Sequence, residues 1–233
     1  MKRRDFSLAA TSLGLLPLAA TPIARAQAAF RAGADYLPLK RPAPVDAPAG
    51  KVEVVEFFSY ACPHCADFQP ALDDWLKRKP KDADFRMIPM VFKESWKAPA
   101  KLFYTLEAMG ALEKMHRKVY DAIHKENQQL FTDQAVIDWA AKQGLDKAKF
   151  EQIYNSFGID TKVQRSVAMG RAYGVQFTPA IAVAGKYWTG PSMVVNANGN
   201  ADLPLFFNMV DQLIAMERGK SAATTGSPAR KKG

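Results

Sequence analysis

The sequence predicts a mixed α/β fold interrupted by a helical segment, on three observations. The β-branched and aromatic run Val52-Glu53-Val54-Val55-Glu56-Phe57-Phe58 is followed by apolar residues at helical spacing. Residues 98–174 are dominated by Ala, Leu, Met, Lys and Glu with helical periodicity. Strand character returns at Ala180-Ile181-Ala182-Val183 and Tyr187-Trp188-Thr189.

The chain opens with Met1-Lys2-Arg3-Arg4, continues through an apolar stretch from Leu8 to Ile23, and then offers small-x-small cleavage sites at Ala24-Arg25-Ala26 and Ala26-Gln27-Ala28. Residues 1–26 therefore read as a secretory signal peptide, set apart from the fold. Gly14, Pro17 and Pro22 interrupt it, and it is too short for a good membrane span. Arg3-Arg4-Asp5-Phe6 resembles a twin-arginine export address, with an ordinary basic signal as the equal alternative. Both routes lead to a bacterial periplasm, where thiols can be oxidised.

Residues 27–97 form the first part of the α/β domain. An Ala/Pro-rich lead-in carries a short strand near Tyr36-Leu37, and residues 52–58 read as a buried strand. Phe68, Leu72, Trp75 and Leu76 recur at helical spacing after Cys62, with Pro63 in the first turn, where its missing N–H costs nothing. Phe85 to Phe92 reads as the next strand. The helical segment, 98–174, fits four or five helices punctuated at Gly110, Thr132, Gly144 and Gly158. Asp146 and Asp160 are expected N-caps. The second part, 175–219, holds a hairpin turning at Gly185-Lys186 and an amphipathic helix over 203–218, with Leu205, Phe206, Met209, Leu213 and Met216 on one side. The small, polar residues 220–233 are expected to be a disordered tail.

The chain has 233 residues and a net charge of +9, with Lys and Arg spread along the helices and concentrated at Arg230-Lys231-Lys232. That spread predicts a solubilising surface and no nucleic-acid partner.

Chemistry concentrates at Cys62-Pro63-His64-Cys65, which holds both cysteines of the chain. A disulfide closing so small a ring adds little stability, because the gain grows with loop length. Each cysteine must therefore serve the other, a metal or a substrate thiol. Structural zinc needs about four ligands, and only His64, His116 and His124 are available to join the pair. Redox catalysis is the better reading, with no metal. At a helix N-terminus, unpaired backbone N–H groups and the partial positive charge favour a Cys62 thiolate. His64 adds a donor or a charge in the same turn. Cys65, one turn further in, is placed to resolve a mixed disulfide. Stabilising the thiolate favours the reduced form, which makes the disulfide an oxidant.

Two further elements stand near this motif in the reading. Glu56 lies within the apolar strand, where burial raises a carboxyl pKa and lets it tune the thiols; the alternative is a solvent-facing acid. Thr178-Pro179 opens a strand, and such a loop offers backbone groups to an extended substrate. His116 and His124, eight residues apart, share one helix face and read as packed or surface histidines. The tyrosines of the helical segment and Trp139 read as core.

Glu56-Phe57-Phe58-Ser59-Tyr60-Ala61-Cys62-Pro63-His64-Cys65 resembles the active-site stretch of the DsbA family of periplasmic thiol:disulfide oxidants. Pro-His between the cysteines distinguishes that family from thioredoxins, which carry Gly-Pro. Thr178-Pro179 resembles its cis-proline loop, and Ala182-Val183-Ala184-Gly185-Lys186-Tyr187 its following hairpin. The resemblance spans most of residues 35–218. It implies a thioredoxin-like fold with an inserted helical domain. Cys62 is then the exposed nucleophile, Cys65 the resolving partner, His64 the thiolate stabiliser, Thr178 and Pro179 the substrate-facing loop, and Glu56 the family's buried acid. It further implies no cofactor beyond the Cys62–Cys65 disulfide, an acidic nucleophile and an oxidising couple. The implied partners are exported proteins with free cysteines and a DsbB-like membrane quinone reductase, acting on a monomer in the periplasm. One departure stands out. Some members pair the buried acid with a lysine on the next strand, where Arg86 is the only basic candidate here.

Three rivals remain. A disulfide isomerase or reductase shares this chemistry, but isomerases of the compartment carry an added dimerisation domain, and the lead-in over 27–50 is too short for one. A peptide-binding module would keep its affinity without Cys62. A metallochaperone would hold a soft metal between the cysteines.

Overall fold

Strand β2, Val52–Phe58, is buried along its whole length and is an interior strand of the sheet. In this computed structural model, which describes residues 30–225, the strand order is β1-β5-β4-β2-β3. β1 is Leu37–Pro38, β3 Ala83–Pro89, β4 Ala180–Val183 and β5 Tyr187–Thr189. β3 runs parallel to β2, which requires a crossover, supplied by helix α1, Pro63–Arg78. β4 and β5 are antiparallel. The leader read at 1–26 and the end of the expected tail, 226–233, lie outside the described residues.

The two faces of β2 face different layers, as the period of two requires. Val54 packs among Phe68, Leu72 and Trp75 of α1 and Phe206 and Val210 of the last helix, α7 (Leu203–Thr225). Val55 and Phe57 pack on the other side, among Ile88, Tyr173 and Trp188. Phe58 and Cys65 join a third core built from the helical segment, around Leu102, Phe103, Tyr120 and Trp139.

Five helices lie between β3 and β4: α2 Lys97–Ala108, α3 Leu112–His124, α4 Asp133–Lys142, α5 Lys147–Tyr154 and α6 Phe157–Tyr173. The last three, α4, α5 and α6, have side-chain N-caps. The Ala135 N–H donates to the Thr132 hydroxyl at 3.3 Å, and the Lys149 N–H to the Asp146 carboxylate at 3.0 Å. Two expectations fail at α6. Gly158 lies inside the helix, and Ser156 caps it by accepting from the Ile159 N–H at 3.4 Å, so Asp160 falls in the first turn. An acid is favourable there too, because the first turn carries the helix's positive end.

The bounds of three features shift. β3 starts at Ala83 and not Phe85 and ends at Pro89 and not Phe92, because its partner β2 pairs with it from Val52 to Phe58 and then turns away. The hairpin turn centres on Ala184 (φ 54°) and Gly185 (φ 66°), with the Lys186 N–H donating to the Val183 carbonyl at 3.0 Å. Two positive φ values match the strand twist, which a turn centred one residue later would not. The last helix runs on to Thr225, beyond 218; Ala222 and Ala223 are strong helix formers. Among the described residues, no helix is long and apolar enough to cross a membrane.

Candidate active site

The end of β2 turns tightly into α1. The Cys62 N–H donates to the Ser59 carbonyl at 3.0 Å, and the Ala61 N–H to the Ser59 hydroxyl at 3.1 Å. Cys62 takes the N-cap position with an extended backbone, and Pro63 stands at the first helical position, preset in φ. Cys65 follows on the inner side of the first turn, fully buried, whereas Cys62 keeps a small exposed edge. Both thiols are free.

The two thiols are pushed in opposite directions. Cys62 falls from 9.0 to about 5, chiefly through a hydrogen bond from the Cys65 thiol. The Thr178 side chain and the backbone N–H groups of Cys65 and His64 add to this and outweigh burial. Cys65 is pushed up, first by burial and then by the demands of Cys62 and the charge of Glu56. The pair thus holds one acidic sulfur at the surface and one reluctant sulfur beneath it. The His64 ring is exposed, and His64 acts on the sulfur through its backbone N–H.

The loop before β4 faces this pair. The Cys62 thiol donates to the Thr178 carbonyl at 3.3 Å, and the Thr178–Pro179 peptide is cis. A groove of about 480 Å³ opens beside it, lined by His64, Phe68, Phe177, Thr178, Pro179 and Leu203, among others. Its walls are mostly apolar, with backbone groups at the Thr178 edge, a combination that suits an unfolded segment bearing a thiol.

Glu56 is fully buried beneath the thiols, and neither carboxylate oxygen has a hydrogen-bond partner. Burial, then the charge of Asp73, raises it from 4.5 to about 8. The expected pairing with Arg86 does not form. In the β2–β3 register Arg86 stands opposite Val55, and Met87 opposite Glu56. Registered partners share a sheet face, so Arg86 lies on the far side from Glu56. There it bonds Glu53 at 3.1 Å and Asp46 at 3.2 Å.

The sequence reading missed the groups around Tyr60. The Tyr60 hydroxyl and His116 Nδ1 lie 2.7 Å apart, His116 Nε2 and Gln69 Oε1 3.1 Å apart, and His124 Nε2 and the Tyr60 carbonyl 2.8 Å apart. His116 and His124 do share one face of α3, with Tyr120 between them. Burial pulls His116 down to about 4, so it is neutral. No local signal could have linked these residues, since Tyr60 and His124 are 64 apart in the chain.

Comparison with known proteins agrees with this geometry. A sequence profile described as Thioredoxin matches residues 45–198. The thiol:disulfide interchange protein DsbA of Burkholderia cepacia is 41% identical over 196 residues, covering 84% of this chain and 92% of the relative. The DsbA of Bordetella pertussis is 40% identical over 211 residues, covering 91% of this chain and 95% of the relative. Among solved structures, Pseudomonas aeruginosa DsbA superposes with a TM-score of 0.74 at 35% identity, covering 83% of this chain and 97% of that one.

Proposed function

Because the chain belongs to the DsbA family of thioredoxin-fold thiol:disulfide oxidoreductases, we propose that Cys62 and Cys65 carry its dithiol oxidation and that Thr178, Pro179 and the neighbouring groove receive the substrate. The observation that carries this reading is the Cys62 sulfur itself, set at the N-terminus of α1 and facing the Thr178 carbonyl at 3.3 Å.

In the oxidised protein, a substrate thiolate attacks Cys62 Sγ. The Cys62–Cys65 bond breaks and a substrate–Cys62 mixed disulfide forms. Cys65 leaves with the electron pair and, given its raised pKa, takes up a proton. Glu56 is protonated below about pH 8 and is buried near Cys65 without bonding it directly, so it supplies that proton through an intervening water. A second substrate thiolate then attacks the substrate sulfur of the mixed disulfide, and Cys62 leaves as a thiolate. The substrate loses two electrons, which rest on the reduced pair. Low pKa makes Cys62 a fast leaving group, and the stabilised thiolate draws the exchange toward substrate oxidation.

The substrates are exported proteins with free cysteines, and the compartment is the periplasm, as the leader reading supports. Re-oxidation falls to a DsbB-like membrane quinone reductase, and the pair works without a further cofactor. Residues 98–174 are the inserted helical domain, supported by five helices between β3 and β4. The test is capture of the intermediate. A Cys65→Ala variant first loaded as a Cys62–glutathione mixed disulfide should exchange its glutathione, released as the thiolate, for a thiol peptide held as a stable mixed disulfide on Cys62, and a Cys62→Ser variant treated in the same way should hold none. Equal capture by both variants would remove Cys62 from the attacked position.

A further inference from the structure

The nucleophile stands between two attachments to the same helix. Before it, Tyr60 is held by α3 at both ends. The His124 Nε2–H donates to the Tyr60 carbonyl at 2.8 Å, and the Tyr60 hydroxyl donates to His116 Nδ1 at 2.7 Å. After it, Gln69 on α1 is held by the same His116 at 3.1 Å. The direction of this chain is fixed from its outer end. The Asp73 carboxylate can only accept, so the Gln69 amide N–H donates to it at 2.7 Å and turns Oε1 toward His116. His116 Nε2 must then carry the proton, which leaves Nδ1 to accept from Tyr60.

Aromatic packing tightens the same bracket. The Tyr60 ring meets those of Tyr120, His116 and Phe58 at 5.0, 5.1 and 5.2 Å. Tyr60 is almost wholly enclosed, at 1% exposure, and His116 is buried. A residue in such surroundings has little freedom, and the two-residue link from Tyr60 to Cys62 passes that restraint on. The distances between the Cys62 sulfur and the N–H groups of α1 depend on the angle between the incoming turn and the helix. α3 holds one end of each.

We propose that His116 and His124 are positioning residues for the redox reaction: through Tyr60 and Gln69 they set the Cys62 sulfur against the N-terminus of α1, so that the helical segment governs the oxidising strength of the pair. This inference rests on the reading of Cys62 as the nucleophile. His124 acts by its donor to a buried carbonyl and His116 by its neutral, two-sided hydrogen bonding. Neither touches the substrate.

The test compares His124→Leu, His124→Gln and Tyr60→Phe in the full-length protein. Each is equilibrated with glutathione, and the Cys62 thiolate is titrated by its ultraviolet absorbance. Loss of one hydrogen bond's worth of positioning should make His124→Leu and Tyr60→Phe less oxidising by about two- to tenfold in the equilibrium constant, with a parallel rise in the Cys62 pKa. Tenfold corresponds to about 30 mV for this two-electron couple. Glutamine can replace the Nε2–H donor, so His124→Gln should return close to wild type. Variants that melt earlier yet keep the wild-type equilibrium and titration would overturn the inference and reduce α3 to packing. So would a glutamine variant as far displaced as the leucine one. A wild-type protein with no acidic thiol would instead defeat the reading of Cys62 and the inference with it.

Discussion

Replacing Cys65 with alanine removes the largest influence on the nucleophile. Cys62 sits at about 5 against an ordinary 9.0, with the hydrogen bond from the Cys65 thiol as the leading cause. A hydrogen bond to a charged group contributes about 1.5–3 kcal/mol. At about 1.36 kcal/mol per pKa unit, this is about one to two units. Two considerations favour the lower end. Cys62 keeps an exposed edge, where water screens the interaction, and the smaller alanine relieves part of the burial that opposes ionisation. The Thr178 side chain and the N–H groups of residue 65 and His64 remain in place. Cys62 in the variant should therefore titrate near 6, still well below an unperturbed thiol. The variant has a single thiol, so ultraviolet thiolate absorbance against pH reads it without ambiguity. A value unchanged at about 5 would refute the role of the Cys65 thiol. A return to the ordinary cysteine value would refute the contribution of the helix N-terminus.

Two further predictions concern the acids and their partners. Glu56 has its folded pKa raised from 4.5 to about 8. The sign for such an acid is that its stability is full below 4.5 and is lost as pH rises toward 8. Glu56→Gln in the oxidised protein should therefore stabilise by about 3 kcal/mol near pH 7, fading to nothing near pH 4. Denaturant midpoints at the two pH values check this, and an equal difference at both would contradict it. Arg86→Met strips the buried Glu53 of its cation and leaves it the Asp46 N–H at 2.7 Å. It should lose about 2–4 kcal/mol of stability without moving the Cys62 titration, because Arg86 lies across the sheet. A shifted titration would mean that the guanidinium does reach the thiols.

What the sequence made legible follows the range of the interactions. β2, β4 and β5 are readable to the residue, because β-branched and aromatic runs bounded by turns are local facts. Cys62 as N-cap with Pro63 behind it is likewise local. Gly158 misleads because glycine is a poor helix former and reads as a break, whereas here it sits in the first turn of a helix whose start is fixed by the Ser156 cap. The Arg86 expectation fails for a register reason: one position along a strand changes the face, and sequence does not show which residue of β3 meets Glu56. The Tyr60 bracket is the least legible feature. Its bonds span 56 and 64 residues, and neither histidine carries any local mark of its partner.

The most direct test of the account is the reduction potential of the Cys62–Cys65 pair, measured by equilibration with glutathione. A buried, reluctant Cys65 beneath an acidic Cys62 predicts a couple well on the oxidising side of thioredoxin, whose potential is about −270 mV. A value at or below that figure would contradict the claim that thiolate stabilisation at Cys62 drives dithiol oxidation.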